Sequence, residues 1–120
     1  MPEDDRWQVD YYRDVSGRSP VEEFVDGLDR KMRTKVFRSF ELLEERGTSL
    51  GMPLARPIVG QRFWELRVQM AGNIIRIFYF ALTGRRIILL HGFVKKEQKT
   101  PRNEIAIAAR RTADLIGRTK

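Results

Sequence analysis

The stretch LLHGFVKKEQKTPRNEI, residues 89–105, sets the chain's only histidine, His91, just ahead of Lys95, Lys96 and Lys99. Two arginines precede it in apolar, alternating segments: Arg67 in FWELRVQM and Arg76 in NIIRIFYFAL. A guanidinium offers a fixed fork of donors that suits phosphoryl oxygens. An imidazole can give or take a proton near neutral pH. A lysine crowded by other cations has its pKa lowered and can share that work. Arg67, Arg76, His91, Lys95 and Lys96 therefore contain the parts that metal-free RNA cleavage needs. That reaction requires a base for the ribose 2′-OH, an acid for the leaving 5′-oxygen, and cations for charge gathering on the phosphate.

Other chemistries find less support. The chain has no Walker loop, no GxGxxG and no HExxH. One histidine and no cysteine argue against a zinc site. Carboxylates near the basic stretch are few, which argues against a two-metal nuclease. The expectation is a protein without metal or cofactor. An ordinary solvated sheet face would also carry Arg and Gln, and a lone histidine is more often a bystander than a catalyst.

The elements that must position these groups can be read from pattern. WQVDYYRDV, residues 7–15, reads as a first strand. In SPVE, Ser19 is placed to cap a helix, with Pro20 at its first position and Glu22 completing a capping box. Apolar residues then recur at helical spacing from Val21 to Leu43, with a break expected near residues 27–29 and an end at Gly47. Residues 47–62, rich in Gly and Pro, read as a loop. Three strands follow, near 63–70, 73–82 and 85–95, joined by hairpin turns. A last helix runs from about 101 to 116, with Thr100 as cap and Pro101 first. The order β-α(α)-β-β-β-α predicts one α+β domain over residues 1–120. Its sheet is mostly antiparallel, with helices on one face.

Strand alternation sorts the side chains. With two-residue turns at Gly72–Asn73 and Thr83–Gly84, Gln69 faces Arg76 and Arg76 faces His91. One face collects Trp64, Leu66, Val68, Ile75, Ile77, Tyr79, Ile88, Leu90 and Val94, and packs on the helices. The other collects Glu65, Arg67, Gln69, Arg76, Phe78, His91, Phe93 and Lys95. The second face is expected to be open and cationic, with Lys96 and Lys99 at its edge. Phe80, Ile87 and Leu89 also fall on that side and need a cover. The start of the last helix, with Arg102, adds free backbone N–H groups.

Net charge is +7. Beyond residue 60 there are 13 Lys and Arg against four Asp and Glu, so the C-terminal half carries the surplus and would draw a polyanion. No apolar run approaches a membrane span, and the acidic start MPEDDRW is unlike a signal peptide. A cytoplasmic protein is the expectation.

FWELRVQMAGNIIRIFYF followed by LLHGFVKKEQKTPRNEIAIAARR resembles the RelE/HigB-like toxins of bacterial type II toxin–antitoxin systems, in their phage-related HigB-type branch. The resemblance rests on WELR, RIFY, HGFVKK and QKTP-x-x-EI, across about residues 61–110. It implies a RelE-like fold and an mRNA-cleaving endoribonuclease acting at the ribosome without metal or cofactor. It also implies a helix-turn-helix antitoxin and a hetero-oligomer with it. Arg76 matches the family's phosphate-contacting arginine, Lys95 and Lys96 its basic pair, and Arg67 the basic position of the preceding strand. Residues 97–120 lack the tyrosine that many members place near the final helix, leaving proton transfer to His91 and base stacking to Phe93. Gln69, Lys99 and Arg102 join the expected RNA-binding set. The alternative is a non-catalytic, phage-derived binding module on the same fold.

Overall fold

The computed structural model describes residues 5–70, 72–95 and 101–118. The elements are β1 (Gln8–Tyr11), α1 (Pro20–Asp26), α2 (Arg30–Arg46), β2 (Ala55–Pro57), β3 (Trp64–Met70), β4 (Asn73–Leu82), β5 (Arg86–Lys95) and α3 (Arg102–Arg118). This is the expected α+β order, with a short strand inside the segment read as a loop. The five strands form one sheet in the order β1-β5-β4-β3-β2. The chain leaves β1 through α1 and α2 and returns in an antiparallel meander. That path lays β5 beside β1 in parallel, so the sheet is mixed only at this edge.

The helical break falls where Gly27 and Asp29 predict it. The Asp29 carboxylate accepts from the Met32 N–H at 2.9 Å and starts α2 afresh. Gly47 ends α2 with φ 53, and a Cβ there would lie 2.0 Å from the Trp7 ring. Only glycine serves both that left-handed cap and the close approach of Trp7. Pro20 opens α1 as expected, but the capping box does not form. Ser19 is buried, and its hydroxyl makes no cap hydrogen bond. The last helix begins at Arg102, with the Pro101 carbonyl accepting its first bonds, and runs on to Arg118. Thr100 lies outside the described residues.

Helices cover both faces of the sheet, not one. Val21, Val25, Val36, Phe40 and Leu43 of α1 and α2 pack on Leu66, Val68, Ile75, Ile77, Tyr79, Ile87 and Leu89. On the other side, Ala108 and its neighbours on α3 pack on Phe63, Phe78, Phe80, Ile88 and Leu90. Each such fully buried side chain contributes roughly 1.5–3 kcal/mol of transfer free energy. The second layer supplies the cover that Phe78 and Phe80 require.

The register also differs from the sequence reading. Met70 pairs with Asn73, which sets Arg67 opposite Arg76 and Gln69 opposite Ile74. The β4–β5 turn holds three residues, Thr83–Arg85, because Leu82 pairs with Arg86. Gly84 and Arg85 both take positive φ there, 78 and 58. The extra turn residue inverts parity, so Ile87 and Leu89 face α1 and α2 while Ile88 and Leu90 face α3. A β-bulge between Phe78 and Tyr79 then inverts it again. Beyond the bulge Phe78 pairs with His91, Arg76 with Phe93 and Ile74 with Lys95. The two one-residue shifts restore parity but add in register, so the cations return to the expected face two residues out of the expected register.

Candidate nucleic-acid interface

Three cross-strand rows build the site on the α3 face. The first reads Arg56, Glu65, Phe78, His91; the second Arg67, Arg76, Phe93; the third Gln69, Ile74, Lys95. Glu65 is fully buried and holds the centre. One of its oxygens accepts from Arg76 Nη1 at 2.6 Å and from Arg56 Nε at 2.8 Å. A buried carboxylate is tolerable only with such charged, hydrogen-bonded partners.

Arg76 is 3 % exposed and Lys95 4 %, so the cationic centre is buried and not the open face expected. The cause is the β-meander itself, which brings Arg56, Glu65, Phe93 and Lys95 around the Arg76 side chain. Burial pushes the Lys95 ammonium below the ordinary lysine range, with Arg76, Arg56 and Arg67 adding repulsion and Glu65 opposing it. Arg67 is half-buried, and Arg56 keeps 37 % of its side chain exposed. The Nε donors of Arg67 and Arg76 are buried and have no hydrogen-bond partner among the described residues. Among the described residues, Arg56 and Arg76 pair with Glu65, and Arg67 and Lys95 stand in the adjoining rows.

His91 lies in a separate contact. Arg111 Nη1 donates to the Leu90 carbonyl at 2.9 Å and approaches His91 Nδ1 at 3.3 Å. A guanidinium can only donate, so Nδ1 accepts and the neutral ring carries its proton on Nε2. That N–H donates to the Glu104 carboxylate at 2.7 Å. Desolvation lowers the His91 pKa, Arg111 lowers it further, and Glu104 opposes both. Both ring nitrogens are therefore occupied in pinning α3 to β5. Phe93 is 7 % exposed, stacked on His91 at 5.6 Å and edge-on to Phe78 at 5.4 Å. Its ring is part of the interior.

The structure brings Arg67, Arg76 and Lys95 together and sets His91 one row away, opposite Phe78. Gln69 is exposed, and its backbone carbonyl accepts from the Lys35 ammonium. Arg102 is exposed at the start of α3. Lys96 and Lys99 lie outside the described residues. Sequence reasoning missed Arg56, because its strand of three residues is too short to show alternation. It also missed Glu65 as an organiser, although the W-E-L-R alternation already put Glu65 and Arg67 on one face.

A mixed five-stranded sheet with a two-helix layer on one side, a C-terminal helix on the other and a buried cationic row is the frame of a small α+β protein compatible with a RelE-like fold. The family model for Phage derived protein Gp49-like (DUF891) matches residues 23–113. The chain belongs to that family, which is associated with RelE/HigB-like toxins. No curated protein matches it. Among the described residues, no helix is long and apolar enough to cross a membrane.

Proposed function

We propose that the chain is the toxin of a bacterial type II toxin–antitoxin pair of the HigB-type branch, acting in the cytoplasm as a metal-independent endoribonuclease on mRNA at the ribosome. The observation that carries this reading is the Arg67–Arg76 pair, whose two buried Nε donors have no partner among the described residues, beside Glu65 with its two arginine partners. Buried guanidinium donors without a partner favour an added anion, and a phosphodiester supplies one. The family and the WELR–RIFY–HGFVKK resemblance support RNA as the source of that phosphodiester.

In this mechanism the phosphate meets Arg67 and Arg56 from the surface and the charge of Arg76 from beneath. The 2′-oxygen attacks phosphorus, the bond to the 5′-oxygen breaks, and a 2′,3′-cyclic phosphate and a 5′-hydroxyl result. Lys95, with its lowered pKa, takes the 2′-OH proton in its neutral form and passes it to the leaving 5′-oxygen. His91 holds α3 in place and is a positioning residue. Lys96, Lys99 and Arg102 extend the phosphate contacts. A helix-turn-helix antitoxin would silence the toxin in a hetero-oligomer.

The burial of Arg76 and Lys95 favours a second reading, an RNA- or protein-binding module without cleavage. Inducing the chain in cells and mapping mRNA 5′ ends by primer extension separates the two. New 5′ ends that vanish in a folded Arg76→Ala variant support the enzyme. RNA binding with no new ends, or undiminished cleavage by folded Arg76→Ala, refutes the catalytic assignment.

A further inference from the structure

We propose that the free edge of β1 is an interface for a second copy of this chain, joined across a two-fold axis with α2 against α2. β1 is an outer strand, and its parallel ladder with β5 uses alternate residues. The Gln8 N–H donates to the Arg85 carbonyl at 2.8 Å and the Tyr12 N–H to the Leu89 carbonyl at 2.9 Å. Val9 and Tyr11 therefore turn their N–H and C=O groups away from β5, where no strand meets them among the described residues. The opposite edge is blunted, because β2 has three residues and ends in Pro57. β1 has neither a proline nor a bulge. Beside it runs a groove of about 510 Å³, with Val9, Tyr11, Phe37, Arg38, Glu41 and Glu44 in its walls. Tyr11 meets Phe40 edge-on at 6.3 Å and Phe40 meets Phe37 at 6.1 Å. An aromatic row thus climbs from the strand to Phe37, which is 43 % exposed.

The charges of α2 decide what fills this groove. Beyond the Asp29 cap, Arg30, Lys31, Arg33, Lys35 and Arg38 occupy its first half. Glu41, Glu44 and Glu45 occupy its second, followed only by Arg46. That order opposes the helix macrodipole, which favours anions near the N-terminus and cations near the C-terminus. A second α2 lying antiparallel sets each basic half against an acidic one. A purely acidic or purely basic segment would match one half and be repelled by the other. Arg38 and Glu41 stand at the changeover, both exposed, and neither makes an ion pair among the described residues. The Trp7 N–H donates to the Glu44 carbonyl while Tyr11 meets Phe40, so α2 runs opposite to β1 and Val9 lies below the changeover. An axis there pairs Val9 with its own copy, Gln8 with Asp10 of the second copy, and Arg38 with Glu41 of the second copy. A two-fold interface requires such self-complementarity. Arg67 and Arg76 lie on β3 and β4, on the α3 side, so both copies keep them uncovered.

Analytical ultracentrifugation of the purified chain over a concentration series tests the interface. The weight-average mass should climb toward twice that of one chain. Val9→Pro deletes a donor that β5 does not use, two hydrogen bonds per dimer, and should weaken association about tenfold. Arg38→Glu and Glu41→Arg should each weaken it by a similar factor, and the exchange Arg38→Glu/Glu41→Arg should restore it. Because both residues are exposed, these charge variants keep the test decisive should Val9→Pro fail to fold. The mass of a single chain at every concentration overturns the second copy and leaves the edge to a strand of another protein. A dimer indifferent to the charge reversals, or not restored by the exchange, overturns this surface as its interface. Neither result bears on RNA cleavage, which the primer-extension experiment reads separately.

Discussion

Arg67 and Arg76 face each other across β3 and β4, and each has a buried Nε donor with no hydrogen-bond partner among the described residues. Like charges directly opposite in an antiparallel pair are destabilising. Glu65 relieves Arg76 through Nη1. A bound anion would relieve both arginines. Inorganic phosphate is therefore expected to raise the melting temperature. At about 100 times its dissociation constant the gain is about 2.7 kcal/mol. Arg67→Gln should reduce that gain. Differential scanning calorimetry at constant ionic strength checks it, and a melting temperature indifferent to phosphate would remove the anion site.

Glu65 is the buried carboxylate to which Arg56 and Arg76 both donate. Glu65→Gln keeps the shape but leaves those guanidinia without their counter-charge. Breaking a buried pair of this kind costs roughly 3–5 kcal/mol. Urea denaturation should show the loss as a lower midpoint, partly recovered by added phosphate. A variant as stable as the parent would mean that the two arginines are compensated elsewhere.

Lys95 has its pKa lowered by burial and by the neighbouring arginines. Lys95→Arg preserves the charge but removes a group able to lose its proton. Binding of a non-cleavable RNA should persist, while cleavage falls by about 10²–10⁴-fold. In the parent, cleavage should rise with pH and level off below the pH at which an ordinary lysine titrates. Cleavage by Lys95→Arg at the parental rate would assign proton transfer to another group.

The neutral His91 ring, held between Arg111 and Glu104, makes stability depend on pH. Its folded pKa lies below the ordinary value of 6.5, so the unfolded chain binds more protons in the window between the two. Stability is then full above 6.5 and declines as the pH falls from 6.5 toward the folded pKa. His91→Gln keeps an acceptor and a donor but cannot titrate. Its stability should be flatter than the parent's across that window, as chemical denaturation at a series of pH values would reveal. Identical slopes would mean that the imidazole is not held neutral.

Tyr79 is 1 % exposed, its hydroxyl has no hydrogen-bond partner, and desolvation pushes its pKa up to about 12. Removing an unsatisfied buried hydroxyl while keeping the ring is neutral or stabilising. Tyr79→Phe should raise stability by up to about 1–3 kcal/mol, measured by urea denaturation. A clear loss would show that the hydroxyl is satisfied in solution.

The amino-acid order determined the elements, because helical spacing, alternation and Gly/Pro punctuation are local. It set the break between α1 and α2 at Asp29, the three long strands, and the grouping of Arg67, Arg76 and Lys95 on one side of the sheet. Tertiary structure decided the rest. Pairing chose a three-residue turn at Thr83–Arg85 and a bulge at Phe78, two shifts that no single strand encodes. Packing sent α3 to the face opposite α1 and α2, since Phe78, Phe80 and Leu90 needed burial as much as Ile75 and Ile77 did. That choice enclosed His91 between Arg111 and Glu104. The sheet enclosed Arg76 beside Glu65 and Arg56. Which cation is paired and which is left for a ligand depends on contacts between residues distant along the chain, and a side chain's type and spacing do not record them.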